Sequence, residues 1–245
     1  MRNIKLILAY DGTAYHGFQR QANAMTIQQI VEERLARLFG HPLKLTGSAR
    51  TDTGVHAYGQ VVNFYTQGTI PTERIVLAAK GLLPPDIVVV DAAEEAPGFH
   101  ARRSATGKIY RYRLLNTKLP NPFERNYAWH IATRLDAALM HEAAQAVVGT
   151  HDFSAFRAAG GAPVSPVRTI MAAACREVGT CGIEFEFWGT GFLYHMVRNL
   201  VGTLVEVGGH RRTPGDFARV LAGGDRHAAG ITAPPQGLYL IEVKY

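Results

Sequence analysis

Gly47-Ser48-Ala49-Arg50-Thr51-Asp52-Thr53-Gly54-Val55-His56-Ala57 leads directly into Gln60 to Thr66, a run whose pattern predicts a β-strand. Asp52 thus sits on a short loop ahead of a strand, with Arg50 two residues before it and Gly54 two residues after. A guanidinium nearby favours the ionised carboxylate, and glycine lets a substrate come close to the backbone. The same residues also suit a plain turn capped by Asp52, with Arg50 as a surface partner. Local pattern alone leaves both readings open.

Outward from this loop, strands and helices alternate. Ile4, Leu6, Leu8 and Tyr10 alternate with Lys5, Ile7 and Ala9, which predicts an opening strand, and Asp11-Gly12-Thr13 supplies turn chemistry after it. Thr26 and Gln29 have capping-box spacing, and Ile27, Ile30, Val31, Leu35, Leu38 and Phe39 share one helical face before Gly40 and Pro42. Thr72 to Lys80 reads as a helix stopped by Gly81, and Ile87 to Asp91 as a strand. After a basic, turn-like stretch from Phe99 to Gly107, Lys108 to Leu115 reads as a strand with Tyr110, Tyr112 and Leu114 on one face and Arg111 and Arg113 on the other. A helical stripe, Leu135, Ala138, Leu139, Ala143, Ala146 and Val147, ends at Gly149. Val167 to Arg176 and Ile183 to Trp188 form an expected hairpin, with Cys175 and Cys181 on adjoining strands. A helix is expected over 192–207, another from Thr213-Pro214-Gly215-Asp216, and a closing strand over Leu238 to Tyr245. The boundary falls in the basic stretch, giving an N-terminal half of residues 1–105 with the Asp52 loop and a C-terminal half of 106–245. Layer rules favour two α+β halves, each sheet covered by helices on one face and free for a ligand on the other.

Composition narrows the class. In 245 residues, 26 Lys plus Arg against 20 Asp plus Glu leave a charge of +6; with 47% hydrophobic and 19% charged residues, this is the composition of a folded chain. The basic balance points weakly to a polyanionic partner. Two cysteines exclude a disulfide framework and fit a reducing compartment. The start lacks a signal peptide's apolar core, and no apolar run approaches the roughly 18 residues of a membrane span. The cytoplasm is the expected location. No GxxxxGK[ST] loop occurs, and Gly189-Thr190-Gly191 is followed by Tyr194 where a dinucleotide fingerprint needs glycine, which disfavours ATP and NAD. The ten histidines are scattered, His141-Glu142 lacks a second His one turn on, and neither cysteine belongs to a CxxC pair, so no metal or cofactor is expected. No serine sits in a GxSxG elbow.

Arg50-Thr51-Asp52-Thr53-Gly54-Val55-His56-Ala57 resembles the catalytic signature of the TruA family of tRNA pseudouridine synthases. Six further stretches match that family in order: Tyr10-Asp11-Gly12-Thr13 through Gly17-Phe18-Gln19; Phe99-His100-Ala101-Arg102 through Tyr110-Arg111-Tyr112; Asp152-Phe153-Ser154-Ala155-Phe156-Arg157; Ser165-Pro166-Val167-Arg168-Thr169-Ile170; Phe192-Leu193-Tyr194-His195-Met196-Val197-Arg198; and Ala233-Pro234-Pro235-Gln236-Gly237-Leu238. One departure is Ala49, where the family commonly has glycine. The resemblance implies the pseudouridine synthase fold: two pseudo-symmetric α+β halves of ferredoxin or RRM type, with joined antiparallel sheets and a central catalytic cleft. It implies a homodimer, tRNA as partner, no cofactor, and uridines 38, 39 and 40 of the anticodon stem-loop as targets. It also implies Asp52 as nucleophile, Tyr110 as the residue stacking on the target uracil, and Arg50 and Arg198 as basic residues near the aspartate.

Pseudouridine formation breaks the N1–C1′ bond of uridine, turns the base and rejoins it through C5, with no net redox change. The carboxylate can attack C1′, attack C6 of the ring, or assist loss of the 2′ proton, and the residues leave these routes open. A stacked base must first be flipped out at a cost of about a few kcal/mol, which phosphate contacts must offset. Arg20, Arg102, Arg103, Lys108, Arg157 and Arg168 are the candidate contacts, with Arg211 and Arg212 as a second cluster. The alternative is a noncatalytic RNA-binding module, displaying Tyr110 and Tyr112 among basic residues on an open sheet. A carboxylate-dependent glycoside or nucleoside hydrolase is a further rival, but it needs a second acid that Glu94 and Glu95 do not supply in context.

Overall fold

The computed structural model describes residues 1–161 and 163–245. In chain order its main elements are β1 (Arg2–Tyr10), α1 (Ile27–Phe39), β2 (Thr46–Gly47), β3 (His56–Thr66), α2 (Thr72–Lys80), β4 (Ile87–Glu95), β5 (Gly107–Asn116), β6 (Trp129–Ile131), α3 (Ala137–Gln145), β7 (Gly149–Asp152), β8 (Val167–Val178), β9 (Gly182–Gly189), α4 (Met196–Gly208), α5 (Pro214–Gly223) and β10 (Leu238–Lys244). This is the expected α+β class. The chain divides into two compact units, Met1–Thr106 with Tyr239–Tyr245, and Gly107–Leu238. Among the described residues, no helix is long and apolar enough to cross a membrane.

In the first unit the strands lie in the order β4-β1-β3-β10, with β2 added to β3. β1 is antiparallel to both β3 and β4, while β10 runs parallel to β3 through Tyr239 opposite His56 and Leu240 opposite Ala57. Alternation in β1 sends Ile4, Leu6, Leu8 and Tyr10 into the core, where α1 buries Ile27, Val31 and Leu35 and α2 buries Ile75 and Ala79. Thr26 caps α1 by accepting the Gln29 N–H, and Gly40 ends it in the left-handed region at φ 73°. β4 runs on to Glu95, beyond the expected end at Asp91. Its last residues pair with Asn3 and Ile4, and Glu94 and Glu95 form ion pairs with Arg2 and Lys5. Sequence order assigns the closing strand to the second half; Tyr239–Tyr245 groups with the first unit, where β10 runs beside β3.

The second unit has the strand order β5-β9-β8-β7, all antiparallel, with β6 parallel to β5. Tyr110, Tyr112 and Leu114 of β5 and Ile183, Phe185 and Phe187 of β9 form the buried face. On the other face Arg111, Arg113 and Arg176 pair across strands with Glu184 and Glu186. α3 stops at Gln145, earlier than its apolar stripe, because Gly149 (φ 111°) already opens β7. α4 starts at Met196 rather than near Phe192, since His195 takes a left-handed φ of 57°. Cys181 falls in the turn between β8 and β9, not on a strand.

Candidate active site

The Asp52 loop is held from both sides by residues of its own unit. On one side stands Gln60, fully buried in β3: its Oε1 accepts from Ser48 Oγ (2.8 Å) and the Ala49 N–H (3.2 Å), and its Nε2 donates to the Ala49 carbonyl (2.7 Å). On the other stands the chain after β1. The Tyr10 hydroxyl meets Thr51 Oγ1 at 2.7 Å, the Phe18 N–H donates to the Thr51 carbonyl (3.0 Å), and the Gly54 N–H reaches the Tyr15 carbonyl (3.4 Å). Burial pushes the Tyr10 hydroxyl's pKa upward, against its hydrogen bonds with Thr51 and Gln60, so it stays protonated.

Two glycines allow these segments to approach. A Cβ on Gly12 would stand 2.0 Å from the Val55 carbonyl oxygen, and one on Gly17 (φ 86°) would stand 2.6 Å from that of Thr51. His56 adds a third tie. It is buried, its Nδ1 accepts from the Gly12 N–H (3.1 Å), and its ring stacks on Tyr239 of β10 at 4.7 Å. Asp52, between buried Thr51 and exposed Thr53, is half-buried; its carbonyl accepts from the Val55 N–H (3.1 Å), which closes the tight turn. Arg50 is exposed. The arrangement presents one carboxylate on a rigidly tied loop.

The basic stretch before β5 is tied down in the same unit. Asn3 donates to the carbonyls of Ala96 and Phe99 (3.0 Å each), and Asn63 accepts from the Ala101 N–H (2.9 Å). Arg102 and Arg103 give their N–H groups to His100 Nδ1 and are themselves exposed. Arg20 is partly committed elsewhere: it pairs with Glu32 (3.1 Å) and Glu33 (3.2 Å) of α1. Glu32 is 6% exposed and also accepts from Gln28 and the Leu45 N–H, so Arg20 completes a satisfied buried carboxylate.

In the second unit, Tyr110 and Lys108 share a face of β5 by strand alternation. Tyr110 is 8% exposed and meets Phe192 edge-on at 4.9 Å. Lys108 pairs with Gly189 of β9, and Thr190 donates back to Thr169 beside Arg168, so Lys108 and Arg168 lie at the same end of this sheet. Burial, and then the charge of Arg157, push the pKa of Arg168 down. Arg168 donates to the Ser165 and Val167 carbonyls, and Arg157 to that of Val164 (3.2 Å). Arg198, on α4, donates through Nε to the Ala233 carbonyl (2.8 Å).

Tyr112 has a different job from the one an RNA-binding sheet requires. It is 0% exposed, its hydroxyl donates to the Pro234 carbonyl (2.6 Å), and Gly237 lacks a Cβ where one would meet the ring at 2.6 Å. It anchors the 233–238 segment, which Arg198 also holds. Gln60 and Ser48 were not foreseen from the sequence as organisers of the Asp52 loop, whereas a loop-orienting role for His56 was. The available signal was polar side chains in and beside an otherwise apolar strand, which demand buried partners.

The chain is similar to known proteins along its whole length. The tRNA pseudouridine synthase family matches residues 6–102 and 143–245, spans that hold the Asp52 loop, Arg157, Arg168 and Arg198 but leave Tyr110 between them. The chain is 46% identical to the tRNA pseudouridine synthase A of Thermoanaerobacter sp. (strain X514) and 45% identical to that of Acetivibrio thermocellus, covering 100% of both chains in each case. It is likewise 46% identical to the enzyme of the same name from Geotalea daltonii, again over 100% of each chain.

Proposed function

The chain belongs to the tRNA pseudouridine synthase family, and on that premise we propose that it converts uridine to pseudouridine at positions 38, 39 and 40 of the tRNA anticodon stem-loop, with Asp52 as the nucleophile. The observation that carries this reading is the Asp52 loop itself: a half-buried carboxylate on a turn fixed by Gln60, Tyr10, Phe18 and His56. A group that must act on a bound nucleotide gains from being held in place before the substrate arrives.

The chemistry divides among the named residues. The N1–C1′ bond breaks, the uracil turns, and a C5–C1′ bond forms; the C5 proton leaves to solvent and N1 gains one, so the product is an isomer. Asp52 works in its ionised form, with Arg50, two residues before it on the same loop, as the nearby source of positive charge. Tyr110 offers a π face for the flipped uracil and a hydroxyl to pass a proton, with Phe192 fixing its ring. Extrusion of the base costs about a few kcal/mol, offset by phosphate contacts for which exposed Arg102 and Arg103, together with Lys108, Arg157 and Arg168, are the best suited. Arg20 contributes less, being paired with Glu32 and Glu33. The complete burial of Tyr112 speaks against a noncatalytic stacking module, which needs both tyrosines displayed. The protein acts as a homodimer in the cytoplasm.

An unmodified tRNA transcript carrying uridines at 38, 39 and 40, incubated with the protein and mapped by pseudouridine-specific chemical modification and primer extension, tests the assignment. Stops confined to those three positions are expected. Modification only elsewhere in the tRNA would move the target and refute the anticodon assignment.

A further inference from the structure

The second unit contains two adjoining cavities that the proposed reaction does not use. One, of about 280 Å³, is walled chiefly by Trp129, Ile131, Leu135, Val205 and Ile231. The other, of about 570 Å³, is lined by Glu206, Arg211, Arg212, Asp216 and Arg219. Glu206 and Arg211 line both, so the two spaces are neighbours. The first has an indole and aliphatic side chains in its wall beside His130, Thr133, Glu206 and Arg211; the other is rich in guanidinium groups.

The charges there do not cancel. Arg212 pairs with Glu206 (2.5 Å) and Arg219 with Asp216, whose carboxylate is already committed to capping α5 through the Thr213 N–H and hydroxyl (2.8 Å each). Arg211 is exposed, and its side chain has no hydrogen bond or ion pair among the described residues. Three guanidiniums against two carboxylates leave one positive charge, matched to an anion of charge −1. A mononucleotide di- or triphosphate, with several negative charges, would bring excess charge beside Glu206 and Asp216. A phosphodiester carries a single charge and offers oxygens to the planar guanidinium fork. Next to it, Trp129 is held edge-on to Tyr112 at 6.4 Å, which fixes the indole, and Ile231 is 62% exposed. Gly202 sets the cavity's depth: a Cβ there would lie 1.8 Å from the Ile231 carbonyl oxygen, so glycine lets that segment press onto α4.

We propose that this double cavity is an RNA-backbone subsite: Arg211, flanked by Arg219, holds one phosphodiester while an unpaired neighbouring base lies against Trp129. The identity of the polyanion rests on the tRNA reading above; the cavity pair and its charge do not.

The chain has two tryptophans, Trp129 and Trp188, so Trp188→Phe leaves Trp129 as the reporter. In that variant, unmodified tRNA should quench the fluorescence, whereas uridine monophosphate at equal concentration should not. In the otherwise unaltered protein, Arg211→Gln with Arg219→Gln should raise KM for tRNA about tenfold with kcat changed less than about twofold. The log–log salt dependence of binding should become shallower by about 1, the signature of one lost phosphate contact. Arg211→Lys, which keeps the charge, should retain the parental salt slope, and matching thermal melts establish that the Gln variants fold. An unchanged salt slope with unchanged KM, an unquenched Trp129, or equal quenching by the monophosphate would each overturn the subsite. Absence of pseudouridine formation by the unaltered protein is a separate result, which refutes the proposed reaction while the tRNA titration still reports on the cavity.

Discussion

Gly12 shows how closely the residues around Asp52 are fitted. Because any Cβ there would lie 2.0 Å from the Val55 carbonyl oxygen, Gly12→Ala must push the Asp52 loop away from β1. Overpacking of this kind costs about 1–3 kcal/mol. A urea titration should show that loss, and the pseudouridylation rate of the variant, measured where it remains folded, should fall as well. A loss of stability with full activity would mean that the loop's position is not critical. Gly54 and Asp52 were legible in the sequence as a turn with a carboxylate, because turn chemistry is local. The fastening was not: Gln60 to Ala49, Tyr10 to Thr51 and Gly12 to His56 join residues 11, 41 and 44 positions apart. No periodicity reports such pairs. The shared face of Tyr110, Tyr112 and Leu114 was legible from strand alternation, but the anchoring of Tyr112 to Pro234 and against Gly237, far along the chain, was not.

Elements with strong end signals came through intact. α5 begins at Pro214 with Thr213 as its cap, and Asp216 closes the capping box by accepting from the Thr213 N–H and hydroxyl. These hydrogen bonds, with one from Arg219, lower the Asp216 pKa from 3.8 to about 2. A carboxyl depressed on folding stabilises the native state above its unfolded pKa, and that contribution fades as pH falls through the folded value. Melting temperatures of the parent and Asp216→Asn proteins should therefore differ most above about pH 4 and converge toward about pH 2. A constant difference across that range would detach the cap from this titration. α2, with Glu73 near its start and Gly81 after its end, also matched. The short strands β2 and β6 escaped notice because two or three residues carry no alternation; their partners β3 and β5 impose the pairing. α4 begins late because the left-handed turn at His195 is a backbone event that the surrounding apolar residues mask.

Across the whole molecule, the +6 charge is a poor guide until each cation's partner is known. Arg111, Arg113 and Arg176 are bound to glutamates across the second sheet, and Arg20 to α1. The proposed RNA contacts are therefore a subset of the cations: exposed Arg102 and Arg103, with Lys108, Arg157, Arg168 and Arg211. Turn chemistry and charge, which are local, mark the basic stretch before β5 as the expected boundary. The pairing of β10 with β3 is not marked locally, because it joins residues far apart in the chain. The expectation that Asp52 reacts rests on the resemblance; by local pattern alone a capped turn was the favoured reading. The most direct test of its role is tritium release from tRNA containing 5-tritiated uridine. Steady release is expected from the parent protein and none above background from Asp52→Ala, which should still bind tRNA with an unchanged salt slope. Release by Asp52→Ala at the parental rate would contradict it.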